Sequence, residues 1–131
     1  MTTLDDQLCN QPRWYVMELS EKHCVPCEGT IPAMSDADED KYIVQVKGWQ
    51  LLRDGTHKIR KEFKFKDFKG SMDFVNKVAT IAEGEGHHPD IYIYYNKVVL
   101  DLYTHAVKGL FDNDFILAAK IDGLVTKKAK K

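Results

Sequence analysis

No apolar run in this chain approaches the ~20 consecutive residues that a membrane-spanning helix needs. The opening stretch "MTTLDDQLCNQ" carries acids where a secretory signal would carry basic residues and then an apolar core, so export by that route is not expected. Cysteine is scarce: Cys9, Cys24 and Cys27 are the only three. "CVPC" has the spacing of a metal knuckle, but a zinc site needs two more ligands and no second C-x-x-C exists. A redox C-x-x-C should open a helix after a strand, whereas Pro26 and "EGTIP" mark a turn-rich arm. Neither structural zinc nor thiol chemistry is therefore the expectation. No internal repeat stands out.

What is present fits one domain. The 131 residues can bury a single core, and 44% hydrophobic with 30% charged residues is ordinary globular composition. The net charge of −1 is unevenly spread. Residues 1–46 hold nine acids and three bases, and residues 47–131 hold eleven acids and sixteen bases. Part of the basic excess is the tail "KKAKK" and part is "HKIRKEFKFK". Such charge suits an anionic partner or, more simply, a solvated strand face and a solubilising tail. The cytosol is the expected compartment, and a basic tail is compatible with a nuclear presence. Neither direct nucleic-acid binding nor membrane binding is expected.

The chain divides into an N-terminal extension (1–33), a folded domain (34–125) and a basic tail (126–131). After the Gly- and Pro-punctuated extension, "SDADEDKYIVQVKGW" reads as a helix with Ser35 as N-cap and acids in its first turns. Tyr42, Ile43 and Val46 form its apolar stripe. "WQLLRDGTHKIRKEFKF" reads as a hairpin turning at "DGT", with Ile59, Phe63 and Phe65 on one face of its second arm. "KDFKGSMDFVNKVATIAEGEG" has apolar residues at 68, 72, 75, 78, 79 and 82, a helical spacing that Asp67 caps and Gly84 and Gly86 end. "DIYIYYNKVVLDLYTH" is a second hairpin with its turn at "NK". "DNDFILAAKIDGLV" is a final helix with Phe115, Ala118, Ala119 and Leu124 inward. The order α-β-β-α-β-β-α has no parallel crossover pattern. It predicts an α+β fold, an antiparallel four-stranded sheet with helices packed on one face. A sheet this small and rich in Tyr and Val is also suited to pairing an edge with a second copy.

"GEGHHPDIYIYY" sets His87 and His88 side by side where a helix gives way to a strand. Pro89 forces His88 into an extended conformation, so the helix cannot continue. Glu83, four residues before His87, is placed to orient it. His105 ends the last strand, and hairpin geometry returns it near the histidine pair, with Asp114 within reach of His105. Imidazoles titrate near neutral pH and serve as acid, base or ligand. Three of them could share proton transfer or bind zinc; exposed loop histidines are also often idle. His23 and His57 lie elsewhere and receive no role.

The run Glu83-x3-His87-His88-Pro89-x5-Tyr95-x9-His105-x8-Asp114 resembles the signature of the pterin-4a-carbinolamine dehydratases. "GW" at 48–49, "KEFKFKDF" at 61–68, "YNKV" at 95–98, "THAVKGL" at 104–110 and "NDFILAAKID" at 113–122 carry the resemblance over about residues 34–125. "CVPCEG" is also similar to an extension of some members outside animals. The resemblance implies dehydration of 4a-hydroxytetrahydropterin to quinonoid dihydropterin, which recycles the cofactor of aromatic amino-acid hydroxylases. It implies a pterin as the small-molecule partner, no cofactor and no metal, and a homodimer or homotetramer. His87 and His105 become the acid/base candidates and His88 a positioning and assisting one. Gly86, His87, His88, Pro89, Tyr103, Thr104, His105 and Ala106 become the substrate contacts, with Glu83, Trp49 and Asp114 in support. Three departures stand out: Gly86 where animal members have an acid, Tyr103 where a small residue, often serine, is usual, and Phe111 at a position that is commonly a Ser or Thr cap. Asp112 is then expected to cap the last helix. The family also implies an alternative, a non-enzymatic dimerisation cofactor of a homeodomain transcription factor.

Overall fold

Chain direction is set by a few local devices, each visible in the computed structural model, which describes Leu19 and residues 33–129. The three cysteines and His23 lie outside the described residues. Ser35 caps α1 (Asp36–Ile43) by accepting a hydrogen bond from the Asp38 amide. The helix is shorter than its apolar stripe: Val46 is buried beyond its end, in the turns leading to β1 (Gln50–Leu52). Gly55, at φ 77°, turns the first hairpin into β2 (Lys58–Lys64). Asp67 then caps α2 (Phe68–Glu85) through the Gly70 amide.

The second hairpin joins β3 (Asp90–Tyr94) to β4 (Lys97–Leu102), and its turn is Tyr95–Asn96, one residue earlier than the sequence pattern placed it. Tyr95 adopts the left-handed region at φ 49°. A single 3₁₀ turn (His105–Val107) leads to α3 (Asp112–Ala129), which runs beyond Val125, where the apolar pattern ends.

All strand pairings are antiparallel, in the order β1-β2-β4-β3. The predicted α+β arrangement with element order α-β-β-α-β-β-α is therefore the one observed. The register puts Ile59 opposite Leu102 and Phe63 opposite Val98, so these residues and Leu100 form one buried face. Against it pack Phe74, Val75 and Val78 of α2 and Phe115, Ala118 and Ile121 of α3. The α2 stripe differs from the expected one. Ser71, Phe74, Val75, Val78 and Ala82 are inward, whereas Phe68 is exposed, because i, i+3, i+4, i+7 spacing runs from Ser71. On the opposite face Arg60 clamps the fully buried Asp101 with two hydrogen bonds, at 2.6 and 2.8 Å. Among the described residues no helix is long and apolar enough to cross a membrane.

Candidate functional site

Gly86 explains why two histidines leave α2 together. It sits at φ 67°, ψ 26°, a left-handed conformation that glycine adopts at no steric cost, whereas a bulky side chain would be strained. Its amide donates to Glu83 O, and the His87 amide donates to Ala82 O at 3.2 Å, closing the helix end. The chain therefore reverses at Gly86 rather than Gly84, which stays inside the helix. His87 and His88 are thrown off the end, and Pro89 leads into β3.

The second segment is held by a small bridge. Thr104 pairs with Gly109, its amide donating to Gly109 O at 2.8 Å, so that the 3₁₀ turn between them projects as a tight loop. A side chain at Gly109 would meet the Ala33 Cβ at 2.9 Å, which accounts for glycine there. β4 ends at Leu102, and after the extended Thr104 His105 opens the 3₁₀ turn.

These two segments bound a cavity of about 360 Å³. Gly86, His87, His88 and Pro89 line it from one side of the sequence, and Tyr103, Thr104, His105 and Ala106 from the other. All eight residues expected to gather there are thus brought together. Asp90, Phe111 and Asn113, none of them a candidate site residue by sequence, also line it. Asn113 and Phe111 flank the start of α3, a position that only the folded register brings against Gly86–Pro89.

Behind His87 stands Asp114, with no accessible surface. Its Oδ1 lies 2.6 Å from His87 Nε2, while Oδ2 accepts from the Thr104 hydroxyl at 2.8 Å and the Phe111 amide at 3.0 Å. A buried carboxylate is tolerated when it is this well supplied with donors. A carboxylate only accepts, so a neutral His87 facing it through Nε2 carries its proton there and leaves Nδ1 for exchange. The bond from the Phe111 amide to Asp114 is also one half of a capping box. Asp112 is the first residue of α3, and the expected Asp112 cap is replaced by this reach-back from Asp114.

Two of the expected pairings are exchanged. Glu83 meets His88, with Oε2 2.6 Å from Nε2, rather than His87. Asp114 meets His87 rather than His105, whose ring lies against Tyr103 at a centroid distance of 4.4 Å. The Glu83–His88 pair is exposed on both sides and so steers weakly. Trp49, expected in support of the site, is a core residue. Its indole N–H donates to Asp122 at 3.1 Å to either oxygen, and its ring packs edge-on against Phe63. Among the described residues the one cluster with metal-ligand geometry is Asp36, Glu39 and His57, away from the cavity. There Glu39 is already held by Arg53 at 2.9 Å and His57 at 2.8 Å, and the Arg53 guanidinium opposes a cation.

Comparison with known proteins agrees with this geometry. The sequence profile of the family described as pterin 4 alpha carbinolamine dehydratase matches residues 32–124. A relative from Nitrosospira multiformis, provisionally named pterin-4-alpha-carbinolamine dehydratase, is 48% identical over 107 residues, 82% of this chain and 92% of its own length. One of the same provisional name from Rubrobacter xylanophilus is 38% identical over 107 residues, 82% of this chain and 98% of its own. Among solved structures, a transcriptional coactivator/pterin dehydratase from Brucella melitensis superposes with a TM-score of 0.67 at 29% identity, covering 70% of this chain and 97% of that one. A pterin dehydratase-like protein identified as a RuBisCO assembly factor in the alpha-carboxysome, at 22% identity and TM-score 0.51 (59% and 88% covered), shares the fold. With a profile match that takes in both histidine segments and Asp114, the chain belongs to the pterin 4 alpha carbinolamine dehydratase family.

Proposed function

We propose that the protein dehydrates 4a-hydroxytetrahydropterins to quinonoid dihydropterins, in the recycling of reduced pterin cofactors. The observation that carries this reading is His87, held through Nε2 by buried Asp114 at 2.6 Å, on the wall of a cavity that His88 and His105 also line. The cavity volume falls in the range of small-molecule sites, about 300–1,000 Å³. Losing hydroxide from carbon 4a at neutral pH requires a proton on the leaving oxygen, and nitrogen 5 gives up its own. No oxidation state changes in this elimination, so it calls for no nicotinamide, and the cavity imidazoles supply its proton transfers.

His87 and His105 are the proton-exchanging pair in this reading. An imidazole with an unperturbed pKa of ~6.5 serves as acid or base at physiological pH, typically for 10²–10⁴-fold. His88 positions the pterin. The eight residues from the two segments surround the substrate. We favour the enzyme over the dimerisation cofactor because a buried Asp–His pair facing a cavity has a use in proton transfer, and docking a partner calls for no such group. The chain acts as a homodimer or homotetramer, with the open strand β3 as the association edge.

The test is the loss of 4a-hydroxypterin on addition of purified protein, followed by stopped flow. Acceleration well above the spontaneous rate is expected. A rate equal to the spontaneous one would overturn the reading.

A further inference from the structure

His105 is held differently from the other two cavity histidines. Carboxylates hold His87 and His88, each through Nε2. His105 opens the 3₁₀ turn with an exposed side chain, and among the described residues its imidazole makes no hydrogen bond or ion pair. What it has is the ring of Tyr103, centroids 4.4 Å apart and planes at 56°.

The backbone builds this contact. Thr104, between the two, is extended at φ −109°, ψ 113°, and residues flanking an extended residue project to the same side. Thr104 is itself fixed twice, by its bridge to Gly109 and by its hydroxyl on Asp114. Tyr103 and His105 thus extend from a rigid pivot toward the same cavity.

The consequence is chemical. An imidazole that passes a proton needs a defined direction, and a hydrogen-bond tether would supply it by occupying one of the two ring nitrogens. An aromatic face restricts the ring without taking either nitrogen. We propose that Tyr103 is the positioning residue of His105, aiming its imidazole into the cavity by ring packing while both nitrogens stay open to substrate. The proposal rests on the dehydratase reading above. It assigns Tyr103 a task that its ring performs and its hydroxyl does not.

The experiment is steady-state dehydration kinetics on Tyr103→Ser, Tyr103→Phe, His105→Ala and the Tyr103→Ser/His105→Ala double variant, each checked for folding. Tyr103→Ser should lower kcat about 2- to 10-fold, the range of an aromatic pair, with little change in KM. Tyr103→Phe should restore most of that loss, since it returns the ring alone. With His105 already alanine, Tyr103→Ser should cost no further turnover, because the residue it positions is gone. Nuclear magnetic resonance should show the His105 ring protons losing their ring-current displacement in Tyr103→Ser and keeping it in Tyr103→Phe. Unchanged kcat in Tyr103→Ser, or a rise in KM of equal size with and without His105, overturns the proposal; the latter would leave Tyr103 a substrate contact with no part in placing His105. An inactive wild-type protein would instead overturn the dehydratase reading, and this inference with it.

Discussion

Asp114 bonds His87 across 27 residues of sequence, at 2.6 Å, while its second oxygen holds the Thr104 hydroxyl. One carboxylate therefore ties the end of α2, the approach to the 3₁₀ turn and the start of α3 into a single wall of the cavity. The pair resembles in logic any imidazole whose tautomer is set by a buried acid: orientation and proton placement come from the same bond.

Asp114→Asn tests that logic with little change in volume. The amide oxygen, taking the place of Oδ2, accepts from both the Thr104 hydroxyl and the Phe111 amide, and the amide nitrogen is then left to face His87 Nε2 as a donor. His87 must move its proton to Nδ1, the nitrogen it needs free. Turnover should fall on the order of 10²–10⁴-fold, the usual contribution of an acid/base group, while pterin binding changes little. Comparison of kcat with a directly measured Kd checks it. A variant of full turnover would show that the His87 tautomer is immaterial.

The histidines should divide by kinetic parameter. His87→Ala or His105→Ala is expected to lower kcat about 10²–10⁴-fold, since each removes a group used in the transition state. His88, exposed and only weakly steered by Glu83, should act mainly on binding, so His88→Ala raises KM. If either proton-transfer histidine partly substitutes for the other, the His87/His105 double variant loses far more than either single one. Full turnover in the double variant would end the imidazole mechanism.

Sequence pattern carried the element order, the sheet and the two segments that meet at the cavity, because each rests on local signals: Ser35 and Asp67 caps, the Asp54-Gly55 turn, Pro89 after the histidine pair. It failed on who pairs with whom. The i, i+4 rule puts Glu83 beside His87 only if the helix continues, and left-handed Gly86 breaks that phase, so His88 receives the carboxylate. Asp114 is nearer in sequence to His105, but the 3₁₀ turn and the start of α3 present it to His87 instead. Trp49 looked like a site residue by resemblance, and only packing reveals a core residue whose indole donates to half-buried Asp122. Phe111 and Asn113 gave no local signal, since their place at the cavity depends on tertiary register alone.

Self-association should run through β3. Among the described residues the sheet is ordered β1-β2-β4-β3, which makes this strand an edge, and Ile91 to Tyr95 are 36–64% exposed. Long apolar edges attract a further strand unless guarded by charge. Light scattering at micromolar concentration should give a multiple of the 15.1 kDa chain mass, and Ile93→Lys should shift it toward that mass. A wild-type mass near 15.1 kDa would refute the interface.

Asp122 should give the stability a distinct pH dependence. Burial pushes its carboxyl above the ordinary value, and the hydrogen bonds from Lys61 at 2.9 Å and Trp49 at 3.1 Å only partly oppose this. A carboxyl whose folded pKa is raised binds its proton more tightly in the folded chain than in the unfolded one. Stability then falls as pH rises from the unfolded value of ~3.9 through the raised folded value, and levels off above it. Asp122→Asn keeps an oxygen for the Trp49 indole and removes the titration, at the loss of the Lys61 ion pair. The difference in unfolding free energy, wild type minus Asp122→Asn, should therefore decline across that window and be flat at higher pH. Urea unfolding of both proteins from pH 4 to 7 measures it. A difference that instead grows with pH would mean that the Lys61 and Trp49 bonds outweigh burial, and that Asp122 is a net stabilising anion within α3.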